Sequence, residues 1–172
     1  RDVEHDQILA QEIQVKRQRD GAEVFQRNRT ALMFVLDASV ALRWLLNDAG
    51  AVDQKYCDAV IEALATQTAT VPALWFTEIV HVLRNAEKAN KVSPAETTAF
   101  LGALQELPIQ FDSTPPGLIQ INVAAAARQY RLSGYDAQYL ELAMRRTLPL
   151  ATLDRDFRKA MRAAGVPLFG RR

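Results

Sequence analysis

Short apolar runs alternate with helix-forming segments from residue 33 onward, and this alternation restricts the folds open to the chain. The first run is Met33-Phe34-Val35-Leu36, and similar runs lie around Val71, Ile109 and Leu150. Segments with apolar residues at helical spacing separate them. Parallel strands need a long crossover connection, usually a helix. The order therefore predicts an α/β fold with a central, mostly parallel sheet flanked by helices.

Several of the helical segments have recognisable ends. Ser93-Pro94-Ala95-Glu96 has the spacing of a capping box, with Ser at the cap, Pro at the first helical position and Glu three residues after the cap. Pro108 ends the same helix. We predict helices over 38–47, 52–66, 74–89, 94–107, 118–132, 136–147 and 155–164, and strands over 33–36, 70–72, 109–111, 148–152 and 166–169.

Residues 1–32 differ in character from the rest of the chain. They contain six basic and six acidic residues with only a weak apolar pattern, and Gly21 interrupts any continuous helix. We predict that they form an N-terminal arm or an upstream extension. The folded domain is then expected to span residues 33–170.

The composition excludes several classes of protein and of metal site. Of the 172 residues, 49% are hydrophobic, so the chain can form a core. Its apolar stretches fall far short of the roughly 20 residues that cross a bilayer, which predicts a soluble, cytoplasmic protein. Cys57 is the single cysteine and there are two histidines, so a Cys/His zinc cluster is excluded. Any metal must be bound by oxygen.

Four acidic residues are predicted to lie at one edge of the sheet. Asp37 and Asp154 each follow a strand, Glu78 lies one turn into the helix after the second strand, and Asp136 opens a helix. Ligands of such sheets collect beyond the carboxyl ends of the strands. Carboxylates that share a pocket repel each other by about 4 kcal/mol per pair at about 4 Å and an effective dielectric near 20. A divalent cation, Mg²⁺ or Mn²⁺, is the expected neutralising ligand.

Three of these acidic residues also have a purely structural interpretation. Asp37 and Asp154 stand where Asp favours capping a following helix. Asp136 stands three residues after Ser133, which is the spacing of a capping box. Glu78 differs, because it lies inside its helix and no Lys or Arg stands three or four residues away. We therefore expect Glu78 to point inward, towards a site.

Four segments of the chain resemble, in order, the four motif regions of PIN-domain ribonucleases, and specifically those of VapC-type toxins of bacterial type II toxin–antitoxin systems. The segments are Met33 to Ser39, Val71 to Leu83, Tyr135 to Ala143 and Thr152 to Phe157. The resemblance covers roughly residues 33–170. It implies a PIN-like three-layer sandwich and a Mg²⁺- or Mn²⁺-dependent endoribonuclease, neutralised by a cognate antitoxin and usually dimeric.

The resemblance also assigns roles to individual residues. Asp156 would be a further metal ligand, with Ser39 and Thr152 as polar neighbours of the site. His81 stands where the family often has Asn, and residues 1–32 precede the usual start of the family. The residues that match the catalytic, metal-binding acids are Asp37, Glu78, Asp136 and Asp154.

The net charge of +1 conceals two oppositely charged parts of the chain. Residues 1–127 carry 11 basic and 16 acidic residues, whereas residues 128–172 carry 10 and four. Two basic groups begin near the predicted metal ligands, where an RNA backbone would lie, although a solvated helix face would give the same pattern. The candidate RNA-binding residues are Arg84, Lys88, Lys91, Arg155, Arg158 and Arg162.

Other interpretations remain open. An aspartyl phosphatase would need a second Asp two residues after Asp37, and Ser39 stands there. The same fold could serve as an RNA-processing nuclease outside a toxin system, or as a non-catalytic scaffold that binds RNA or protein. An apolar surface for an antitoxin helix or a second subunit is predicted at Leu42, Trp44, Leu45 and Leu46.

Overall fold

A computed structural model describes residues 33–46 and 50–170, and the predicted arm at 1–32 lies outside this part of the chain. Four short strands form one sheet: β1 (Met33–Leu36), β2 (Thr68–Val71), β3 (Ile109–Phe111) and β4 (Leu150–Ala151). The strands are all parallel, in the order β3-β2-β1-β4. The predicted α/β fold with a parallel central sheet flanked by helices is confirmed.

Helices connect the strands within the described residues. None of them is long and apolar enough to cross a membrane. They are α1 (Ala38–Ala41), α2 (Arg43–Leu46), α3 (Ala51–Ala63), α4 (Trp75–Lys88), α5 (Pro94–Glu106), α6 (Pro116–Tyr130), α7 (Gly134–Arg146) and α8 (Arg155–Ala163).

The backbone that follows two of the strands stays bonded to the neighbouring strand. The N–H of Asp37 donates to the carbonyl of Ala151 (3.0 Å), and the N–H of Asp112 donates to the carbonyl of Val71 (2.8 Å). The carboxyl ends of the strands therefore meet at one edge of the sheet. Residues that follow β1 and β4 are brought side by side.

The capping box predicted at α5 is confirmed. The Ser93 side chain accepts from the N–H of Glu96 (3.2 Å), and the Glu96 carboxylate accepts from the N–H of Ser93 (2.8 Å). The two groups satisfy backbone donors that the first turn of a helix leaves free. This local signal locates the start of the helix correctly.

Three segments differ from the prediction. The strand predicted over 148–152 is limited to β4, Leu150–Ala151. The single helix predicted after Asp37 is divided into α1 and α2 at Leu42, although Leu42 keeps helical backbone angles. The last predicted strand, 166–169, is reduced to a single bridge between Leu150 and Leu168. It is short because Gly165 and Gly170, both with positive φ, turn the chain on either side of it.

The apolar surface predicted around Trp44 is partly covered in the fold. Leu42 is buried, and Leu45 and Leu46 are partly buried against the core. The indole N–H of Trp44 donates to the carbonyl of Cys57 (3.1 Å), which joins α2 to α3. These side chains contact the core because α2 packs against both α1 and α3.

Candidate active site

Asp37 is the most buried acidic residue at the carboxyl edge of the sheet. Its Oδ1 accepts from the N–H of Ser39 (3.0 Å), so it caps α1, and its Oδ2 accepts from the hydroxyl of Thr152. Burial raises the pKa of Asp37, although the hydrogen bonds from Thr152 and Ser39 act in the opposite direction. Burial therefore makes the ionised form of Asp37 unfavourable, and a nearby cation would lower the free-energy cost of ionising this carboxylate.

Thr152 and Ser39 join the segment after β1 to the segment after β4. The Thr152 hydroxyl oxygen accepts from the N–H of Asp154 (3.1 Å) while the hydroxyl donates to Asp37. The hydroxyl oxygen of Ser39 accepts from the N–H of Leu153 (3.2 Å). Both residues were expected beside the site, and both hold the backbone around Asp37.

Arg158 supports this arrangement from α8. Its Nε donates to the carbonyl of Thr152 (2.9 Å), and its guanidinium carbon lies 5.4 Å from the centre of the Tyr56 ring. Such a contact with an aromatic face is favourable for a cation. The guanidinium that was expected to bind RNA is thus engaged within the fold.

Glu78 lies in the first turn of α4, and its partner is an aromatic hydroxyl rather than a cation. The Tyr139 hydroxyl donates to Glu78 Oε2. Burial raises the pKa of Glu78, the Tyr139 hydrogen bond lowers it, and the charges of Asp37 and Asp136 raise it again. The expectation that Glu78 points inward is borne out by this contact.

Tyr139 is a site residue that the sequence analysis missed. It is 1% exposed, and its pKa is raised well above the usual value by burial, then by the charge of Asp37 and by the hydrogen bond to Glu78. The hydroxyl therefore keeps its proton and acts as a donor. A signal was present in the sequence, because Tyr139 stands three residues after Asp136, on the same face of α7.

Asp136 lies at the start of α7 and is half-buried. Its N–H donates to the Ser133 hydroxyl oxygen (3.1 Å), and that hydroxyl donates to Asp136 Oδ2 (2.7 Å). The structural interpretation of this residue is thus confirmed. Its charge also raises the pKa of both Asp37 and Glu78. Asp136 therefore acts electrostatically on both of the other carboxylates of this region.

Asp154 and Asp156 are exposed, and both carboxylates already have hydrogen-bond or ion-pair partners around the start of α8. Asp154 Oδ1 accepts from the N–H groups of Asp156 and Phe157, both at 2.8 Å, and so caps the helix. Asp156 pairs with Lys159 (2.7 Å), and this pairing lowers the pKa of Asp156. A metal-binding role for either residue remains a prediction.

The donor chemistry of the three coupled carboxylates fits a hard divalent cation. Asp37, Glu78 and Asp136 offer only oxygen, as Mg²⁺ and Mn²⁺ prefer, and burial disfavours the anionic forms of the first two. Within residues 33–46 and 50–170, no group of three or more His, Cys, Asp or Glu side chains is positioned to hold a metal ion. The donors suit the cation, but their placement does not form a ready-made coordination group.

The remaining candidate RNA-binding residues lie on, or in the case of Lys91 just after, two helices that begin at the site. On α4, Arg84 is exposed and pairs with Glu87 (3.2 Å), and the exposed residues Lys88 and Lys91 follow it. On α8, the exposed cations include Arg155 and Arg162. These cations lie in solvent, where they can contact a polyanion.

The chain is similar to known proteins in both sequence and structure. Residues 34–162 match the family model of the PIN domain. No curated protein matches the chain.

Two solved structures show similar folds. PAE2754 from Pyrobaculum aerophilum is 23% identical with a TM-score of 0.57, covering 76% of this chain and 85% of its own. FitAcB from Neisseria gonorrhoeae is 17% identical with a TM-score of 0.52, covering 80% of this chain and 97% of its own. At these identities the similarity concerns the fold.

Proposed function

The chain belongs to the PIN-domain family, and from this premise we propose that it is a metal-dependent endoribonuclease that hydrolyses RNA phosphodiester bonds. PIN domains are generally nucleases that use divalent metal ions. The observation that carries the proposal is the electrostatic coupling of Asp37, Glu78 and Asp136 at the carboxyl edge of the sheet. The pKa values of Asp37 and Glu78 are raised there, and perturbed carboxylates of this kind are typical of functional sites.

Asp37, Glu78 and Asp136 are the proposed ligands of Mg²⁺ or Mn²⁺, with Asp154 as a fourth. When bound, such a cation lowers the pKa of a water molecule and stabilises negative charge on the phosphate. The chain itself supplies the orientation of its carboxylates. The hydroxyl of Thr152 holds Asp37 through one oxygen, and this leaves further lone pairs of that carboxylate for a ligand.

The other two carboxylates are also oriented by hydroxyl donors. Tyr139 donates to Glu78 and keeps its proton, so it positions that carboxylate and does not act as a base. Ser133 donates to Asp136. Each donor limits the rotation of the carboxylate that it contacts, which reduces the entropy lost when a cation and a substrate bind.

The exposed cations on α4 and α8 are the proposed contacts for the RNA backbone. Lysine and arginine side chains in solvent attract a polyanion over several ångströms, and they release counterions from it on binding. Those proposed are Arg84, Lys88, Lys91, Arg155 and Arg162.

A role as the toxin of a toxin–antitoxin pair rests on the four segments that resemble VapC-type toxins. It brings with it a cognate antitoxin, a homodimer and a cytoplasmic location. On α6, Leu118 and Ile121 are exposed and three residues apart, so they share one side of the helix, and this pair supports contact with a protein partner. An RNA-processing nuclease outside a toxin system, or a non-catalytic scaffold, is the alternative.

Cleavage of mixed RNA by the purified protein tests the proposal. The wild type is expected to cleave with Mg²⁺ or Mn²⁺ and to be inactive with EDTA, and Asp37→Ala is expected to be inactive throughout. Equal activity in all samples would refute a metal-dependent nuclease, and metal-independent binding without cleavage would favour the scaffold. Inhibition by a small protein encoded beside this one would support the toxin role.

A further inference from the structure

A cavity of about 460 Å³ lies beside Glu78, between α4 and the start of α7. Glu78 thus borders both the coupled carboxylates and this cavity, so a ligand placed here is adjacent to the proposed cleavage site. We name it the Tyr135 cavity. Its lining residues are Leu74, Thr77, Glu78, His81, Val82 and Tyr135.

Tyr135 gives the cavity an aromatic face. The residue is 64% exposed, although it is large and lies directly before Asp136 in the first turn of α7. An aromatic side chain left in solvent next to a phosphate-cleaving site offers a surface on which an unpaired base can stack. Leu74 and Val82 add apolar surface to the same cavity.

His81 supplies a polar group in the same cavity. It stands three residues after Glu78, on the same side of α4. The side-chain amide nitrogen of Asn85 lies 3.0 Å from Nε2 of His81. In this contact the amide nitrogen donates and Nε2 accepts, which leaves Nδ1 as the hydrogen-bond donor of the ring. That N–H is available to a hydrogen-bond acceptor on the edge of a base.

Basic residues continue from the cavity along α4. Arg84 and Lys88 follow His81 by three and seven residues, so the three side chains share one side of the helix, and both cations are exposed. A strand of RNA with one base in the cavity can run its phosphates along these cations. Aromatic and basic groups are combined in this way in sites that bind single strands.

We propose that the Tyr135 cavity binds one unpaired nucleobase of the RNA next to the scissile phosphate. The base stacks on Tyr135, and its edge accepts a hydrogen bond from His81. This inference rests on the proposed ribonuclease function and adds the part of the substrate that determines where cleavage occurs. It makes Tyr135 and His81 specificity-determining residues.

The experiment uses a labelled single-stranded oligoribonucleotide with one cleavage site, and a series in which one nucleotide at a time is abasic. Dissociation constants are measured by fluorescence anisotropy in EDTA, and cleavage is measured separately with Mg²⁺. Tyr135→Ala removes the ring, Tyr135→Phe retains it, and Phe76→Ala is the control. Phe76 is an exposed aromatic residue of α4 that lines a different cavity, with Trp75 and Phe111.

Tyr135→Ala is expected to weaken binding about tenfold, or about 1.4 kcal/mol, within the range found for base–aromatic stacking. Tyr135→Phe and Phe76→Ala are expected to bind within about twofold of the wild type, on the same stacking argument. One abasic position should weaken wild-type binding by the same factor and have no effect on Tyr135→Ala. Thermal unfolding confirms that each variant is folded.

Two results would overturn the inference alone while the wild type still cleaves RNA. One is unchanged binding by Tyr135→Ala. The other is an abasic position that weakens the wild type and Tyr135→Ala equally, because the lost base would then contact another part of the protein. If the wild type neither binds nor cleaves RNA, the proposed function itself fails.

Discussion

The hydroxyl of Tyr139 donates a hydrogen bond to the carboxylate of Glu78, although the two residues are 61 positions apart in the chain. Tyr139 is buried in the core on α7, and Glu78 is half-buried on α4. The contact joins the second and third motif segments. It fixes a carboxylate that has no Lys or Arg three or four residues away on its own helix.

Tyr139→Phe should therefore impair cleavage with little change in fold. Hydrogen bonds to charged groups contribute about 1.5–3 kcal/mol, so we expect a fall of roughly tenfold or more in kcat/KM. The bond lowers the pKa of Glu78, so its loss should move the acidic limb of the pH–rate profile to higher pH. Tyr130→Phe, which removes a hydroxyl bonded to Gln129, is the control. Wild-type kinetics for Tyr139→Phe would show that this contact does not position Glu78.

Asp37→Asn should abolish cleavage and yet raise Tm at neutral pH. Burial raises the pKa of Asp37 above its unfolded value near 3.8. As pH rises from that value through the folded pKa, the native state binds more protons than the unfolded state, so stability falls. The side-chain amide of the Asp37→Asn variant is uncharged, so this loss of stability does not occur. Its oxygen can accept from the N–H of Ser39, and its nitrogen can donate to the hydroxyl oxygen of Thr152.

The gain in Tm should disappear near pH 3, where Asp37 is protonated in both states. Thermal unfolding at both pH values measures the difference in Tm between Asp37→Asn and the wild type. Glu106→Gln is the matched control, because Glu106 is exposed at the end of α5 and precedes β3, at the opposite edge of the sheet. A Tm for Asp37→Asn below that of the wild type at pH 7 would contradict the conclusion that the buried charge of Asp37 lowers the stability of the fold.

Divalent cations should stabilise the wild type by binding to Asp37, Glu78 and Asp136. A ligand that binds only the native state adds about 2.7 kcal/mol at a hundred times its Kd. Tm should rise on titration with Mg²⁺ or Mn²⁺ for the wild type and for Glu106→Gln, and it should rise much less for Asp37→Asn. An equal rise in all three proteins would place the cation elsewhere.

Arg158 and Arg155 should differ in role despite their neighbouring positions on α8. Arg158 contacts Thr152 and Tyr56, whereas Arg155 is exposed. Each phosphate contact on a single strand contributes about 0.7 to the slope of log K against log salt concentration. Arg155→Ala should reduce that slope by about 0.7 without lowering Tm. Arg158→Ala should lower Tm and cleavage and leave the slope unchanged.

Both salt titrations are made in EDTA to prevent cleavage, with thermal unfolding of the same samples. If Arg158→Ala reduces the slope and leaves Tm unaltered, Arg158 contacts RNA and does not support Thr152. In that case the original RNA-binding interpretation of this residue would be correct.

Removal of residues 1–32 should leave a folded and active domain. β1 begins at Met33, and a hydrophobic core is formed by residues from Met33 onward. The shortened protein is expected to unfold cooperatively and to cleave RNA at a rate similar to that of the full chain. Loss of the cooperative transition would show that the arm belongs to the core.

Much of the fold follows from interactions between residues that are close in the chain. The apolar run before Asp37, the capping box at Ser93 and the Asp154 cap each depend on a few successive residues, and each could be predicted. The weakest strand predictions lie at the end of the chain. There the two-residue β4 and the single bridge at Leu168 depend on pairing with other strands.

The sequence by itself determined the order of strands and helices and the positions of the carboxylates, because periodicity and capping act over a few residues. Only the tertiary structure decided the sheet order β3-β2-β1-β4 and the partners of those carboxylates. Thr152 reaches Asp37 across 115 positions and Tyr139 reaches Glu78 across 61. Contacts of this kind depend on how distant segments pack, and periodicity and capping do not specify which distant residues become partners.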